Sequence, residues 1–69
     1  MLIIDILPYE LWLARDKDGT LRLYYGAKPE KMTDYWDNWT ANWFVIDGSK
    51  FPNVKWSDKE PTKVTINVL

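Results

Sequence analysis

Two residue types are missing from this chain: it has no cysteine and no histidine. Without cysteine there is no disulfide and no thiolate chemistry. Without histidine, the commonest metal ligand, the commonest general base and the side chain that titrates near neutral pH are lost together. A dominant sign of charge is also lacking. Nine Lys and Arg against ten Asp and Glu leave a net charge of −1. Neither half is lopsided: residues 1–34 hold five basic and six acidic groups, and residues 35–69 hold four of each. No basic stripe is offered to a phosphate backbone, which weighs against a nucleic-acid partner, and no acidic block imitates one. Long apolar runs are absent too. The opening Met1-Leu2-Ile3-Ile4-Asp5-Ile6-Leu7 is short, has no basic flank and is interrupted by Asp5. It reads as a strand over residues 2–6, not as a signal peptide or membrane span. The expected compartment is the cytoplasm, with no membrane partner.

What is abundant is aromatic side chain: five Trp, four Tyr and two Phe in 69 residues. A chain of this length makes one domain, residues 1–69, and buries only about 60% of the surface its unfolded form exposes. Small domains without disulfides need large apolar side chains, and each aromatic buries a large area for little rotamer entropy. A core built from tryptophan is the plainest use of this composition.

Turn chemistry gives the sharpest local expectation. The run Arg15-Asp16-Lys17-Asp18-Gly19-Thr20 lies between two apolar stretches. Asp at the first position of a type I turn bonds the backbone two residues on, Asp at the third tolerates the bridge region, and Gly at the fourth takes positive φ freely. This predicts a three-residue loop, Lys17-Asp18-Gly19, with Gly19 in a bulge, joining strands over 10–16 and 20–25. Asp16 then opposes Thr20, Arg15 opposes Leu21, Leu13 opposes Leu23 and Leu11 opposes Tyr25. One face carries Leu11, Leu13, Leu21, Leu23 and Tyr25; the other carries Trp12, Ala14, Arg22 and Tyr24. A two-residue Asp18-Gly19 turn would set Arg15 against Arg22, and like charges in that position destabilise, so the bulged register is preferred.

Four prolines, Pro8, Pro29, Pro52 and Pro61, fall between regular stretches, as their missing N–H requires. The stretch 32–43 supports two readings. Met32, Trp36, Trp39 and Trp43 recur at helical spacing, which suggests a short helical turn near 33–42. Its Thr, Asn, Asp, Tyr and Trp are mediocre helix formers, which suggests an ordered aromatic loop leading into a strand. Residues 43–47 read as a strand ended by Asp47-Gly48, residues 51–53 as a turn, 54–56 as a short edge segment, and 63–68 as a last strand with Val64, Ile66 and Val68 pointing inward. The expected fold is mainly β: a small antiparallel sheet of four to five strands, curled or barrel-like. No crossover helix is long enough to support parallel pairing.

The motif Leu11-Trp12-Leu13-Ala14-Arg15-Asp16-Lys17-Asp18-Gly19-Thr20-Leu21, followed by Lys28-Pro29, Phe51-Pro52-Asn53-Val54-Lys55-Trp56 and Glu60-Pro61, resembles uncharacterised small proteins of bacteria, phages and mobile elements. The resemblance spans about residues 10–61 and implies a phage or integrated element as the source. It implies no catalytic residue and no cofactor.

Chemistry-bearing constellations are sparse. Asp16-Lys17-Asp18-Gly19 resembles the start of a calcium loop, but twelve residues from Asp16 the chain reaches Ala27 without the Glu such a loop needs. No metal and no cofactor are expected. Asp34 and Asp37 are a carboxylate pair better read as solvating one side of the aromatic stretch than as glycosidase machinery. Asn38-Trp39-Thr40 fits the glycosylation pattern by chance. The chain reads as a non-enzyme.

The candidate functional feature is aromatic: Tyr35, Trp36, Trp39 and Trp43, with Trp12 and Tyr24 from the second hairpin face. In 43–47, Trp43 and Val45 point one way and Phe44 and Ile46 the other, so both faces of that strand are apolar. Such a strand is either sandwiched or offers a face to a partner. The expected function is a small protein-interaction module of phage or mobile-element origin, bound to another protein or to itself. The alternative is a module whose tryptophans stack on carbohydrate or single-stranded nucleic acid.

Overall fold

A computed structural model of the chain describes residues 9–40 and 42–66. The strand expected over 2–6 and the end of the one expected over 63–68 lie outside that range. Six strands form: β1 (Tyr9–Arg15), β2 (Leu21–Tyr25), β3 (Glu30–Lys31), β4 (Trp36–Asp37), β5 (Trp43–Ile46) and β6 (Thr62–Ile66). Four make an antiparallel sheet in the order β5-β2-β1-β6, and β3 pairs with β4 in a second sheet. The molecule is mainly β, and no helix forms among the described residues.

The β1–β2 hairpin adopts the bulged register. Leu11 opposes Tyr25, Leu13 opposes Leu23 and Arg15 opposes Leu21. The Asp16 N–H donates to the Thr20 carbonyl at 2.8 Å, the Gly19 N–H donates to the Asp16 carbonyl at 3.0 Å, and Gly19 has φ +94°. One detail differs. The side-chain bond to the backbone two residues on is made by Asp18, whose Oδ1 accepts from the Thr20 N–H at 2.9 Å. That bond holds its carboxyl below the ordinary value of 3.8. Asp16 is free for a longer-range task.

Both faces of the sheet carry core. On the leucine face, Leu13 and Leu21 are buried with Val54, and Leu23, Ile46 and Val64 pack around them. On the other face, Ala14 and Tyr24 are buried with Trp36, beside Trp12 and Trp56. The second face is therefore closed by the chain itself. The β3–β4 unit lays Trp36 across it, and Tyr24 donates its hydroxyl to the Trp36 carbonyl at 2.7 Å. Burial pushes the Tyr24 hydroxyl up to about 12.

The helical turn considered near 33–42 is replaced by this two-stranded unit. The Met32 N–H donates to the Tyr35 carbonyl at 2.7 Å, closing the turn between β3 and β4. Spacing alone mimics a helix here, because Trp36 is buried while Trp39 is 89% exposed. The edge segment read at 54–56 is not a strand either. Val54 and Trp56 lie in successive turns, and each plugs a different core cluster.

Three polar side chains hold the loops. Arg15 donates to five backbone carbonyls, those of Val54 (2.7 Å), Gly19 (2.9 Å), Gly48 (3.0 Å), Lys50 (3.1 Å) and Phe51 (3.3 Å). This ties the 48–54 segment to the hairpin even though Phe51 sits at φ +51°, a conformation bulky residues rarely adopt. Asn38, buried, donates its amide to the carbonyls of Tyr25, Ala27 and Asn42, and its Oδ1 accepts from the Asn42 N–H. Lys31 donates to the carbonyls of Trp56 and Asp58 and lies 4.1 Å from the Trp56 ring centre, a cation–π contact.

Candidate interaction surface

The six aromatic residues singled out in the sequence do not form one face. Trp36 and Tyr24 are core, at 2% and 0% exposure, because β3–β4 folds onto the sheet face that carries Tyr24. Trp12 is half-buried in the same cluster. Tyr35, Trp39 and Trp43 are exposed, but on separate elements: the β3–β4 turn, the turn after β4, and the start of β5.

The exposed apolar surface gathers on β5 instead. Its partner within the described sheet is β2, with Leu21 opposite Ile46, Arg22 opposite Val45, Leu23 opposite Phe44 and Tyr24 opposite Trp43. It is an end strand, and Trp43, Phe44 and Val45 are 36%, 58% and 63% exposed. Among the described residues nothing sandwiches the strand. Arg22 caps Trp43, its guanidinium carbon 4.3 Å from the ring centre, and on the opposite face Phe44 stacks on Tyr25 at 5.3 Å between centres. Two aromatic side chains are thus held in place before any partner arrives, which lowers the ordering cost of binding. Phe44 and Val45 were legible in the sequence as part of a two-faced apolar strand. Their place at the end of the sheet was not, because strand order is a non-local property.

Depressions of the surface lie away from β5, and two of them touch residues singled out in the sequence. The larger, about 590 Å³, is lined by Asp16, Lys17, Asp18, Arg22, Asp34 and Tyr35. Four of its five charges are paired, Arg22 with Asp16 at 3.1 Å and Lys17 with Asp34 at 3.6 Å, and the fifth, Asp18, accepts the Thr20 N–H. Asp16 also accepts the Trp36 N–H at 2.8 Å. Among the described residues no group of three or more potential ligands could hold a metal ion, and no helix is long and apolar enough to cross a membrane. The smaller depression, about 210 Å³, is lined by Lys28, Glu30, Met32, Asp37, Asn38 and Trp39. Its Asn38 amide is already committed to backbone carbonyls.

The chain matches no family model, no curated protein and no solved structure.

Proposed function

We propose that the protein is a non-enzymatic interaction module of phage or mobile-element origin that binds another polypeptide through the outer edge of β5. The observation that supports this reading is an end strand with three consecutive large apolar side chains exposed and no charge among them. Natural sheets blunt such edges with lysine, proline or a bulge, because an open edge recruits further strands. The other end of the described sheet follows that habit, carrying Lys63 paired to Glu10 at 3.0 Å. An edge left unblunted fits strand addition, in which backbone hydrogen bonds give affinity and alternate side chains give specificity. The resemblance carried by residues 11–21 and 51–56 supports the proposed source.

The test uses wild-type protein and a Phe44→Lys/Val45→Lys variant as baits in bacterial host extract. A protein held by wild type and released by the variant is the expected result. A protein retained equally by both would place the contact elsewhere. Trp39 favours a second reading: one almost fully exposed indole beside Glu30 and Asp37 suits stacking on a sugar ring. Trp39→Ala abolishing retention on a polysaccharide column would select that reading.

A further inference from the structure

We infer that the outer edge of β5 pairs with the same edge of a second copy of this chain, antiparallel, about a two-fold axis through Phe44. The inference rests on the reading of β5 as a docking edge and names its occupant. The Tyr25 N–H donates to the Asn42 carbonyl at 3.1 Å, and opposed residues in an antiparallel ladder alternate between bonded and non-bonded pairs. With Leu23 opposite Phe44 and Leu21 opposite Ile46, the backbones of Phe44 and Ile46 turn towards β2. The N–H and C=O groups of Trp43 and Val45 therefore turn outward, and among the described residues no strand pairs with them.

A second β5 laid with Phe44 opposite Phe44 sets each Trp43 against the other copy's Val45. Outward groups then meet outward groups, and four backbone hydrogen bonds close. Other registers that match outward groups must reach beyond β5 for part of their pairing. The side chains agree with this one. Phe44 meets Phe44 at the close, non-bonded position, extending the Tyr25–Phe44 stack on one face. On the other face Trp43 meets Val45, an aromatic and β-branched pair of the stabilising kind. The sequence from Asn42 to Ile46 carries no charge that would meet its own kind across the axis, and a net charge of −1 adds little repulsion between copies. The two-fold closes, so the product is an eight-stranded dimeric sheet and not an open fibre. The edge is four residues long, so the dimer is weak, with a dissociation constant of roughly 10 µM to 1 mM.

The experiment is sedimentation equilibrium of the full chain up to about 1 mM, a range set by that affinity, with a charge swap at the axis. Phe44→Lys and Phe44→Glu each set like charges together and are expected to be monomers. Mixed in equal amounts they are expected to associate at least roughly tenfold more tightly than either alone. Circular dichroism confirms that each variant is folded. Val45→Pro, which removes an outward N–H but is tolerated on an edge, is expected to be monomeric. A wild type that stays monomeric overturns the inference, as does a dimer indifferent to the charge swap. A monomeric wild type that still captures a host protein through β5 overturns self-pairing alone. One whose β5 variants also leave extract binding unchanged removes the docking edge with it.

Discussion

Asp16 sits where three parts of the molecule meet. Its carboxylate ends β1, pairs with Arg22 of β2 at 3.1 Å and accepts the Trp36 N–H of β4 at 2.8 Å. The residue is 4% exposed, so removing the carboxylate leaves a partly buried guanidinium without its counter-charge and the Trp36 N–H without its acceptor. Asp16→Ala is expected to cost about 3–5 kcal/mol in urea unfolding. Asp16→Asn, which keeps an acceptor for Trp36, is expected to cost visibly less. Trp36 gives a second contrast at this scale. Its indole N–H is buried with no partner, so Trp36→Phe gives up bulk but no hydrogen bond. It should cost clearly less than Trp36→Ala, for which about 3–5 kcal/mol is expected. The five tryptophans are also expected to emit heterogeneously. Trp39→Phe should remove most of the red, acrylamide-quenchable component, because Trp39 is 89% exposed and Trp36 only 2%. Unchanged quenching in that variant would contradict the described placement of Trp39.

At the scale of elements, the hairpin and the β3–β4 unit show what a sequence reveals and what it hides. The hairpin register was legible because its determinants are local: an Asp-Lys-Asp-Gly turn and a Leu pattern of period two. The β3–β4 unit was hidden because its strands are two residues each and its order comes from partners far along the chain, namely Asp16, Tyr24 and the backbone bond from the Lys17 N–H to the Asp34 carbonyl. The role of Asn38 was hidden for the same reason, since a glycosylation pattern says nothing of the carbonyls that gather around a buried amide. The candidate surface was half legible. Two-faced apolarity was visible in residues 43–46, while its position at a sheet end depends on which strand claims the other side of β2. The Arg15 clasp was invisible in sequence and makes a prediction. Lysine offers one compact charge where the guanidinium offers a planar fork, so Arg15→Lys should lose about 1–3 kcal/mol. Hydrogen exchange should show the loss first at the Val54 amide, whose bond to the Phe51 carbonyl closes that turn.

For the molecule as a whole, one sheet separates two small cores, and both are built on β1 and β2. Loss of the β1–β2 pairing removes the floor of both cores at once, so unfolding should be a single transition, coincident by tryptophan emission and far-ultraviolet dichroism. Two separated transitions would mean that β3–β4 leaves the sheet by itself. Alkaline pH probes the tryptophan-side core. The Tyr24 hydroxyl is raised from 10.0 to about 12 in the folded state, so the unfolded chain releases that proton first. The stability contributed by Tyr24 is complete below pH 10, declines as pH rises above it, and is gone once the pH passes about 12. Tyr24→Phe should flatten that decline, at the expense of the bond to the Trp36 carbonyl.

The Arg15 clasp grips main-chain oxygens only. Such a lock is blind to the identity of the residues that carry those oxygens. Lys50 and Asn53 stand on an ordered segment whose anchor ignores their side chains, so these positions can be rewritten as freely as an antibody loop. Replacements at these two positions should shift stability by no more than about 0.5 kcal/mol, which makes the segment a natural place to display foreign peptide on a scaffold that has no disulfide to protect.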